Sequence, residues 1–95
     1  MNILQGKWKC NVGEAEYNVE IVSNNFYVND KFDRRDTSKS NIVTNFYYLY
    51  SDRTVFFTRY DNHQKHSFAN ELTYESANVL TGNEEGTPIS YKRIG

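Results

Sequence analysis

Polar and apolar residues alternate along most of this chain, beginning near the N-terminus. Residues 4–12 place apolar side chains on one face and polar ones on the other, and residues 15–21 repeat the pattern. A period of two is typical of a strand with one buried face. The two runs are joined by Gly13 and Glu14. A two-residue link that starts with Gly predicts a tight hairpin with positive φ at its first position.

The register of this first hairpin follows from its turn. Pairing outward from the turn sets Trp8 opposite Val19 on the inner face and Lys7 opposite Glu20 on the outer face. A slip by one residue would exchange the two faces, so the apolar pattern fixes the register. The hydrophobic and charge patterns agree on this pairing, and agreement between independent patterns supports the hairpin.

Further strand-like segments follow at intervals of about eight to twelve residues, separated by polar turns. They cover residues 26–28, 42–50, 54–60, 67–75, 78–81 and 89–94. Residues 29–41 are polar and charged, which predicts a long loop or a loop that holds a poor helix. We therefore predict an all-β single domain over residues 1–95. Its architecture is an antiparallel meander of seven or eight short strands that closes into a small barrel.

The second predicted hairpin is apolar on both faces. Residues 51–53 join its strands, and pairing Ser51 with Thr54 assigns each side chain to a face. The inner set is Phe46, Tyr48, Tyr50, Val55 and Phe57, and the outer set includes Tyr47, Leu49 and Phe56. An outward apolar patch is typical of an interaction surface, so this outer set predicts contact with a protein partner or a homodimer. The alternative is that residues 29–41 fold over the patch.

Composition narrows the class of protein. The 95 residues carry a net charge of −1, with 38% hydrophobic and 16% aromatic side chains and one Cys. A chain of this length can bury a core without disulfides or metal, and a single Cys fits a reducing compartment. Without an apolar run of about 18 residues or a signal-like N-terminus, we expect a cytoplasmic protein with no membrane partner. The near-neutral charge does not favour nucleic acid as a partner.

Gly6-Lys7-Trp8 resembles the Gly-x-Trp motif that opens the first strand of lipocalins and avidins, the calycin superfamily. In that superfamily a basic residue near the end of the last strand lies over this Trp as the barrel closes, and Arg93 occupies the matching place. The resemblance implies a lipocalin-like barrel in which Gly6, Trp8 and Arg93 form the closure. A guanidinium over an indole face contributes about 1 kcal/mol.

Residues 86–94 are similar to the tail of the staphostatins, small lipocalin-like barrels that inhibit cysteine proteases. In that family a loop with Gly and Thr just before the final strand enters the protease cleft. The resemblance implies that residues 82–87 form a loop of this kind, in which Glu84, Glu85, Gly86 and Thr87 contact a partner.

Residues that could carry chemistry occur in patterns better explained by structure. His63 and His66 lie with Asp61 in a polar turn, which we interpret as solvated rather than metal-binding. Cys10 shares its face with Trp8 and is interpreted as a small core residue. The carboxylate pairs at positions 71 and 75 and at 84 and 85 lack the apolar surroundings that acid–base catalysis needs. We therefore expect a protein that is not an enzyme and needs no cofactor or metal.

The sequence favours a binding function. A barrel of about eight short strands has room for side chains or one small ligand. The predicted inward rings are Trp8, Tyr17, Phe46, Tyr48, Tyr50, Phe57, Phe68 and Tyr91. Because these rings would fill the interior, we predict a non-catalytic barrel that binds a protein through a loop or its outer patch, for example as a protease inhibitor. The alternatives are a calycin-type carrier of a small apolar ligand and a barrel that binds single-stranded nucleic acid by stacking.

Overall fold

The described part of the chain, residues 3–28 and 41–95 of a computed structural model, folds into a closed barrel of eight antiparallel strands. The strands are β1 (Gly6–Val12), β2 (Ala15–Val22), β3 (Asn25–Val28), β4 (Asn41–Leu49), β5 (Thr54–Asp61), β6 (His66–Ser76), β7 (Val79–Glu84) and β8 (Thr87–Arg93). Each strand pairs with the next, and β8 pairs with β1. The predicted all-β meander that closes into a small barrel is confirmed. In the described ranges no helix is long and apolar enough to cross a membrane.

The first hairpin has the predicted register. β1 and β2 pair Trp8 with Val19 and Lys7 with Glu20. Gly13 opens the turn with a φ of 57°, as its place in a two-residue link predicts. Trp8 and Val19 are almost completely buried, so the alternation along these strands correctly predicts which side chains face the barrel interior.

The second hairpin has a longer turn than predicted. Thr54 pairs with Leu49 rather than with Ser51, and the four residues between Leu49 and Thr54 form the turn. Arg53 has a φ of 52° there, a conformation that allows the wider turn to close. The prediction that Tyr50 faces inward is wrong, because this side chain lies in the turn and is 83% exposed. The register differs by two residues, so the remaining positions keep their predicted faces.

A β-bulge in β4 sets which of its side chains face the interior. The register with β5 shifts between Thr44 and Tyr47, and Asn45 within this interval has a φ of 53°. One extra residue on one strand reverses the alternation beyond it. Val43 therefore packs in the core before the bulge, and Phe46 packs against the core after it. Tyr47 consequently points outward.

Residues 82–87, predicted to be a loop, form a tight hairpin. β7 continues to Glu84, which pairs with Thr87 at the start of β8. The turn therefore consists of Glu85 and Gly86 alone, with φ values of 50° and 84°. Two successive positive φ values match the backbone twist of the flanking strands and favour this short connection.

Gly82 lies inside β7, although a glycine at this place suggested a loop. A Cβ atom at this position would overlap the backbone carbonyl of Glu71 on β6. Glycine in a strand interior is typical of a close approach between backbones. The residue thus allows tight packing of two strands, and its place in the sequence does not mark the end of a strand.

Arg93 and Trp8 close the barrel at one end, in the arrangement that the calycin resemblance implies. They are paired partners on β8 and β1, and Cζ of Arg93 lies 4.1 Å from the centroid of the Trp8 ring. The guanidinium donates to the carbonyls of Gln5 at 2.6 Å, Ile3 at 3.1 Å and Ala77 at 3.0 Å. Arg93 therefore ties the N-terminal segment and the β6–β7 turn to the last strand. We call this region the sealed end.

Gly6 makes the sealed end possible. Its φ is 123°, and a Cβ atom there would overlap Nη1 of Arg93. The indole Nε1 of Trp8 donates to the carbonyl of Leu4 at 2.8 Å, so the buried ring leaves no donor unpaired. The segment before β1 is held from both sides by side chains of the first and last strands.

The core consists of side chains that the strands direct inward. Its fully buried apolar members are Leu4, Trp8, Cys10, Val19, Ile21, Phe26, Val43, Val55, Phe57, Leu72, Leu80, Ile89 and Tyr91. The Trp8 and Tyr91 rings meet edge to face with centroids 6.1 Å apart, and Phe57 meets Tyr91 at 6.5 Å. Aromatic packing therefore fills the barrel around the sealed end.

Candidate functional site

A cavity of about 290 Å³, partly open to solvent, lies in the half of the barrel away from the sealed end. Strands β8, β1, β2 and β3 supply one wall, and it is mainly apolar. Its residues are Cys10, Val12, Tyr17, Val19, Phe26, Val28, Ile89 and Tyr91. Strands β4, β5 and β7 supply a polar wall of Asn41, Arg59, Asp61 and Glu84. The prediction that rings fill the interior is therefore correct near the sealed end only.

Arg59 and Glu84 form the centre of the polar wall. Nε of Arg59 donates to Oε2 of Glu84 at 3.0 Å, and Nη2 donates to Oε1 at 2.7 Å. This is the bidentate arrangement in which a guanidinium binds a carboxylate most strongly. Burial lowers the pKa of Arg59, but the hydrogen bond and charge of Glu84 outweigh burial and raise it above its usual value. Arg59 therefore keeps its positive charge at neutral pH.

Neighbouring side chains complete the hydrogen bonding of this pair. Nη1 of Arg59 donates to Oδ1 of Asn41 at 2.6 Å, and Nδ2 of Asn70 donates to Oε2 of Glu84 at 2.9 Å. The guanidinium also lies 4.2 Å above the ring of Phe68. Arg59 and Glu84 lie on β5 and β7, and their further partners lie on β4 and β6. Contacts from four strands thus hold the ion pair in one position.

Asp61 lies beside this network but is bound to it only weakly. Its Oδ2 is 3.9 Å from Nη1 of Arg59, beyond hydrogen-bond distance. Its Oδ1 accepts the backbone N–H groups of His63 at 2.8 Å and Gln64 at 3.0 Å. The carboxylate is thereby oriented by the β5–β6 turn, while its second oxygen is the one nearer to Arg59, and the residue lines the cavity.

Tyr91 brings a buried hydroxyl to the apolar wall. The side chain is 0% exposed, and its hydroxyl is buried beside the thiol of Cys10 with almost no surface open to the cavity. Cys10 lies opposite it across β1 and β8, and a thiol is a weak hydrogen-bonding group. Burial raises the pKa of the Cys10 thiol to about 12 and that of Tyr91 well above its ordinary value. Both groups are therefore neutral at pH 7.

The predicted outer patch lies on the outer surface of β4 and β5. Tyr47 and Leu49 are 51% and 40% exposed, and Phe56 is half-buried. The rings of Tyr47 and Phe56 stack, with centroids 4.7 Å apart. The question whether residues 29–41 cover this patch lies outside the described residues, apart from Asn41, which begins β4 and faces the interior. We keep the name outer patch for Tyr47, Leu49 and Phe56.

The residues predicted from the second resemblance are divided between the interior and the surface. Glu84 is 8% exposed and bound to Arg59, so its predicted place in an exposed loop is wrong. The reason is that β7 extends further than expected and directs this side chain inward. Glu85, Gly86 and Thr87 are exposed at the tip of the hairpin. Their contact with a protein partner stays a prediction.

The histidines lie on the surface near the β5–β6 turn. His63 and His66 are exposed, and the ring of His66 meets that of Phe68 with centroids 4.6 Å apart. Within the described ranges, no group of three His, Cys, Asp or Glu side chains could hold a metal ion. Asp61, the carboxylate nearest to the histidines in sequence, uses one oxygen to bind the turn backbone.

The inward position of most residues of the polar wall was not predicted from the sequence. Arg59 and Asp61 continue the inward alternation of Val55 and Phe57 along β5, and this was a usable signal. In the same way, Glu84 continues the inward alternation of Leu80 along β7. Polar residues at the end of a strand are usually taken as solvated. The alternation extended to the strand ends would have placed these charges inside.

Comparisons of the chain with protein families, curated proteins and solved structures find no match. The structure shows a closed eight-stranded barrel, compatible with a small lipocalin-like barrel, in which Arg93 lies over Trp8. A fold does not determine a function. The cavity and surfaces of this chain are therefore the features that indicate its function.

Proposed function

We propose that this barrel binds a small molecule in its cavity and releases it unchanged, as a carrier of the calycin type. The observation that carries the proposal is the cavity itself, about 290 Å³ in a barrel whose rings were expected to fill it. Ligand sites typically combine apolar walls with a few polar groups that orient the ligand. The opposed apolar and polar walls of this cavity have that composition.

The size of the cavity limits the ligand. An apolar cavity of about 150 Å³ holds one benzene molecule. At about 290 Å³, this cavity suits a ligand of roughly a dozen non-hydrogen atoms, such as one aromatic ring with a short polar chain. A fatty acid or a large cofactor would extend out of it into solvent. We therefore expect a small and compact ligand.

The polar wall favours a ligand with a hydrogen-bonding group. Its side chains are those of Asn41, Arg59, Asp61 and Glu84. In ligand sites a few polar groups of this kind fix the orientation of a mainly apolar molecule. The hydroxyl of Tyr91 has no such role, because it is buried beside the Cys10 thiol. We therefore expect the polar wall to orient a bound molecule.

The residues of the cavity wall favour binding of a ligand without chemical change to it. Cys10 is the nucleophile on the cavity wall, and burial holds it as a thiol by raising its pKa to about 12. A thiol reacts far more slowly than a thiolate. The Glu84 carboxylate is bound by Arg59 and Asn70 rather than placed to move a proton. The proposal therefore needs no cofactor or metal.

A cavity-filling variant tests this function. Val12 is half-buried and lines the cavity. Val12→Trp places a large ring in the space, and we expect it to weaken binding of 2-phenylethanol by about tenfold or more, since lost cavity volume removes about 1.4 kcal/mol or more of binding free energy. Methyl NMR spectra titrated with this neutral probe measure the affinity through Val19 and Ile89, whose side chains line the same cavity.

The matched control makes the same substitution on the outer face. Val22 is 44% exposed at the end of β2, and Val22→Trp should leave probe binding unchanged. Native mass spectrometry of the protein from its own host then asks whether a small molecule co-purifies. If 2-phenylethanol shifts neither Val19 nor Ile89, or if both Trp variants bind it equally well, the proposed site is wrong.

The outer patch favours a second candidate function, contact with a protein partner. Stacked and exposed aromatic side chains are enriched at the centres of protein interfaces. Tyr47 and Phe56 form such a pair beside the exposed Leu49. The partner is either a different protein, as in an inhibitor, or a second copy of the chain. This function is compatible with a ligand in the barrel, because the patch lies on the opposite side of the β4–β5 sheet.

Truncation of the stacked pair separates these possibilities. Phe56→Ser removes one ring, and we expect about a tenfold or greater loss of affinity for any partner that the patch binds. The control Thr73→Ser changes an exposed residue on β6. Sedimentation velocity reports a homodimer, and purification of the tagged chain from its source cell reports other proteins. The outer patch is ruled out as an interface if the chain is a monomer and the same proteins co-purify with the unchanged chain, Phe56→Ser and Thr73→Ser.

A further inference from the structure

The charges on the cavity wall do not cancel. The described lining residues include one cation, Arg59, and two carboxylates, Asp61 and Glu84. Cys10 and Tyr91 add no charge at pH 7, because burial raises the pKa of each above its ordinary value. The described wall therefore carries a net charge of −1, in a cavity that is only partly open to solvent.

Arg59 is already committed to protein partners. Two of its nitrogens donate to Glu84, at 3.0 and 2.7 Å, and the third donates to Asn41 at 2.6 Å. A ligand anion would have to compete with a bidentate carboxylate that is itself 8% exposed. Displacing that carboxylate would leave a buried charge without its partner, which is strongly unfavourable. Arg59 is therefore a poor site for an acidic ligand.

Asp61 is the carboxylate of the cavity wall that does not belong to the Arg59–Glu84 pair. Its side chain is 14% exposed, and its contact with Arg59 is 3.9 Å long. The β5–β6 turn holds its Oδ1 through two backbone N–H groups. Oriented in this way, the group can accept a hydrogen bond through Oδ2 without moving. It lies on the same cavity as the apolar wall.

We propose that the cavity selects a small organic cation, a primary amine attached to an apolar or aromatic body. The proposal rests on the proposed function and names its ligand class. The ammonium group lies at Asp61, and the apolar body lies against Val19, Phe26 and Ile89. The cavity volume sets the size of this ligand, and the net charge of the described wall, with Asp61 outside the Arg59–Glu84 pair, sets its charge.

Electrostatics gives the expected order of affinities. An alkylammonium group has a pKa near that of Lys, about 10.4, and is charged at pH 7. Near a protein surface the attraction between two opposite unit charges about 4 Å apart favours binding before desolvation is subtracted. Desolvation and salt reduce this gain, so we expect about a tenfold preference for the amine over a neutral analogue. An acid should bind at least about tenfold more weakly than the neutral analogue, because it meets Asp61 and Glu84.

Three matched probes test this order. 2-Phenylethylamine, 2-phenylethanol and phenylacetate share one ring and differ in charge, and their affinities at pH 7 are measured by methyl NMR through Val19 and Ile89. The amine should bind tightest and the acid weakest. Asp61→Asn keeps an oxygen for the turn N–H groups and removes the charge, so the amine should weaken by about tenfold while the alcohol is unchanged. Asp52→Asn, in the exposed β4–β5 turn, is the control.

The outcomes separate this proposal from the proposed function. Equal binding of all three probes, tightest binding of the acid, or an amine preference that survives Asp61→Asn overturns the cation proposal and leaves the carrier function standing. Failure of every probe to bind overturns both. Urea unfolding of the Asp61→Asn chain shows whether its fold is intact, and the unchanged alcohol affinity gives the same control within the titration.

Discussion

Arg59→Met is expected to destabilise the fold by about 3–5 kcal/mol, because it leaves a buried carboxylate without its cation. Glu84 is 8% exposed, and its hydrogen bond from Asn70 does not neutralise the charge. Domains of this size have a total stability of about 5–15 kcal/mol. The variant should therefore unfold at a much lower urea concentration, measured by fluorescence of Trp8, the single Trp of the chain.

Two further variants test the cause of this effect. Glu84→Gln should cost less, about 1–3 kcal/mol, because Arg59 still contacts Asn41 and Asp61. The double variant Arg59→Met with Glu84→Gln removes the buried charge together with its partner, so it should be more stable than Arg59→Met alone. If Glu84→Gln is as damaging as Arg59→Met, or if the double variant is the least stable, the loss does not arise from an unpaired carboxylate.

Arg93→Met is expected to cost roughly 2–4 kcal/mol by opening the sealed end. The variant retains most of the aliphatic stem but loses the charge above Trp8 and the hydrogen bonds to three backbone carbonyls. Amide hydrogen exchange should accelerate most at Lys7 and Ile94, whose N–H groups bond across the same seam. Urea unfolding gives the change in free energy.

A second arginine provides the control for this prediction. Arg53 also donates to backbone carbonyls, those of Tyr74 and Glu75, and lies 5.6 Å from the ring centroid of Tyr74, but it is exposed. Arg53→Met should cost less than about 1 kcal/mol, since water replaces its hydrogen bonds. Arg93→Lys should restore little, because one ammonium cannot reach carbonyls on separate segments. Equal losses for the two Met variants would contradict a special role of Arg93.

The strands and their closure could be predicted because they depend on local patterns. Alternation located the strands, the Gly13 turn fixed the first register, and the Gly6, Trp8 and Arg93 signature indicated how the ends meet. The β4–β5 turn could not be predicted in the same way. The sequence carries little sign of the bulge in β4 or of the positive φ at Arg53. Tyr50 was misplaced for this reason.

The cavity could not be predicted because it depends on what the side chains leave empty. Residue types show which rings face inward, but not whether they lie at the same height along the barrel. In the structure Trp8, Phe57 and Tyr91 meet around the sealed end, so the volume beyond them is not filled. The polar wall was missed for a related reason, since Arg59 and Glu84 satisfy each other and no sequence rule records that pairing.

The strand order has a consequence for how the molecule folds. Among the described strands, every pairing joins consecutive strands except that of β1 with β8. This seam brings together residues as far apart in sequence as Ile3 and Arg93, which are separated by 90 positions. Local hairpins form quickly, whereas closing so long a stretch of chain has the largest entropic barrier. We therefore expect formation of the seam to limit the folding rate. Because Trp8 lies in the seam, stopped-flow measurement of its fluorescence should follow that step.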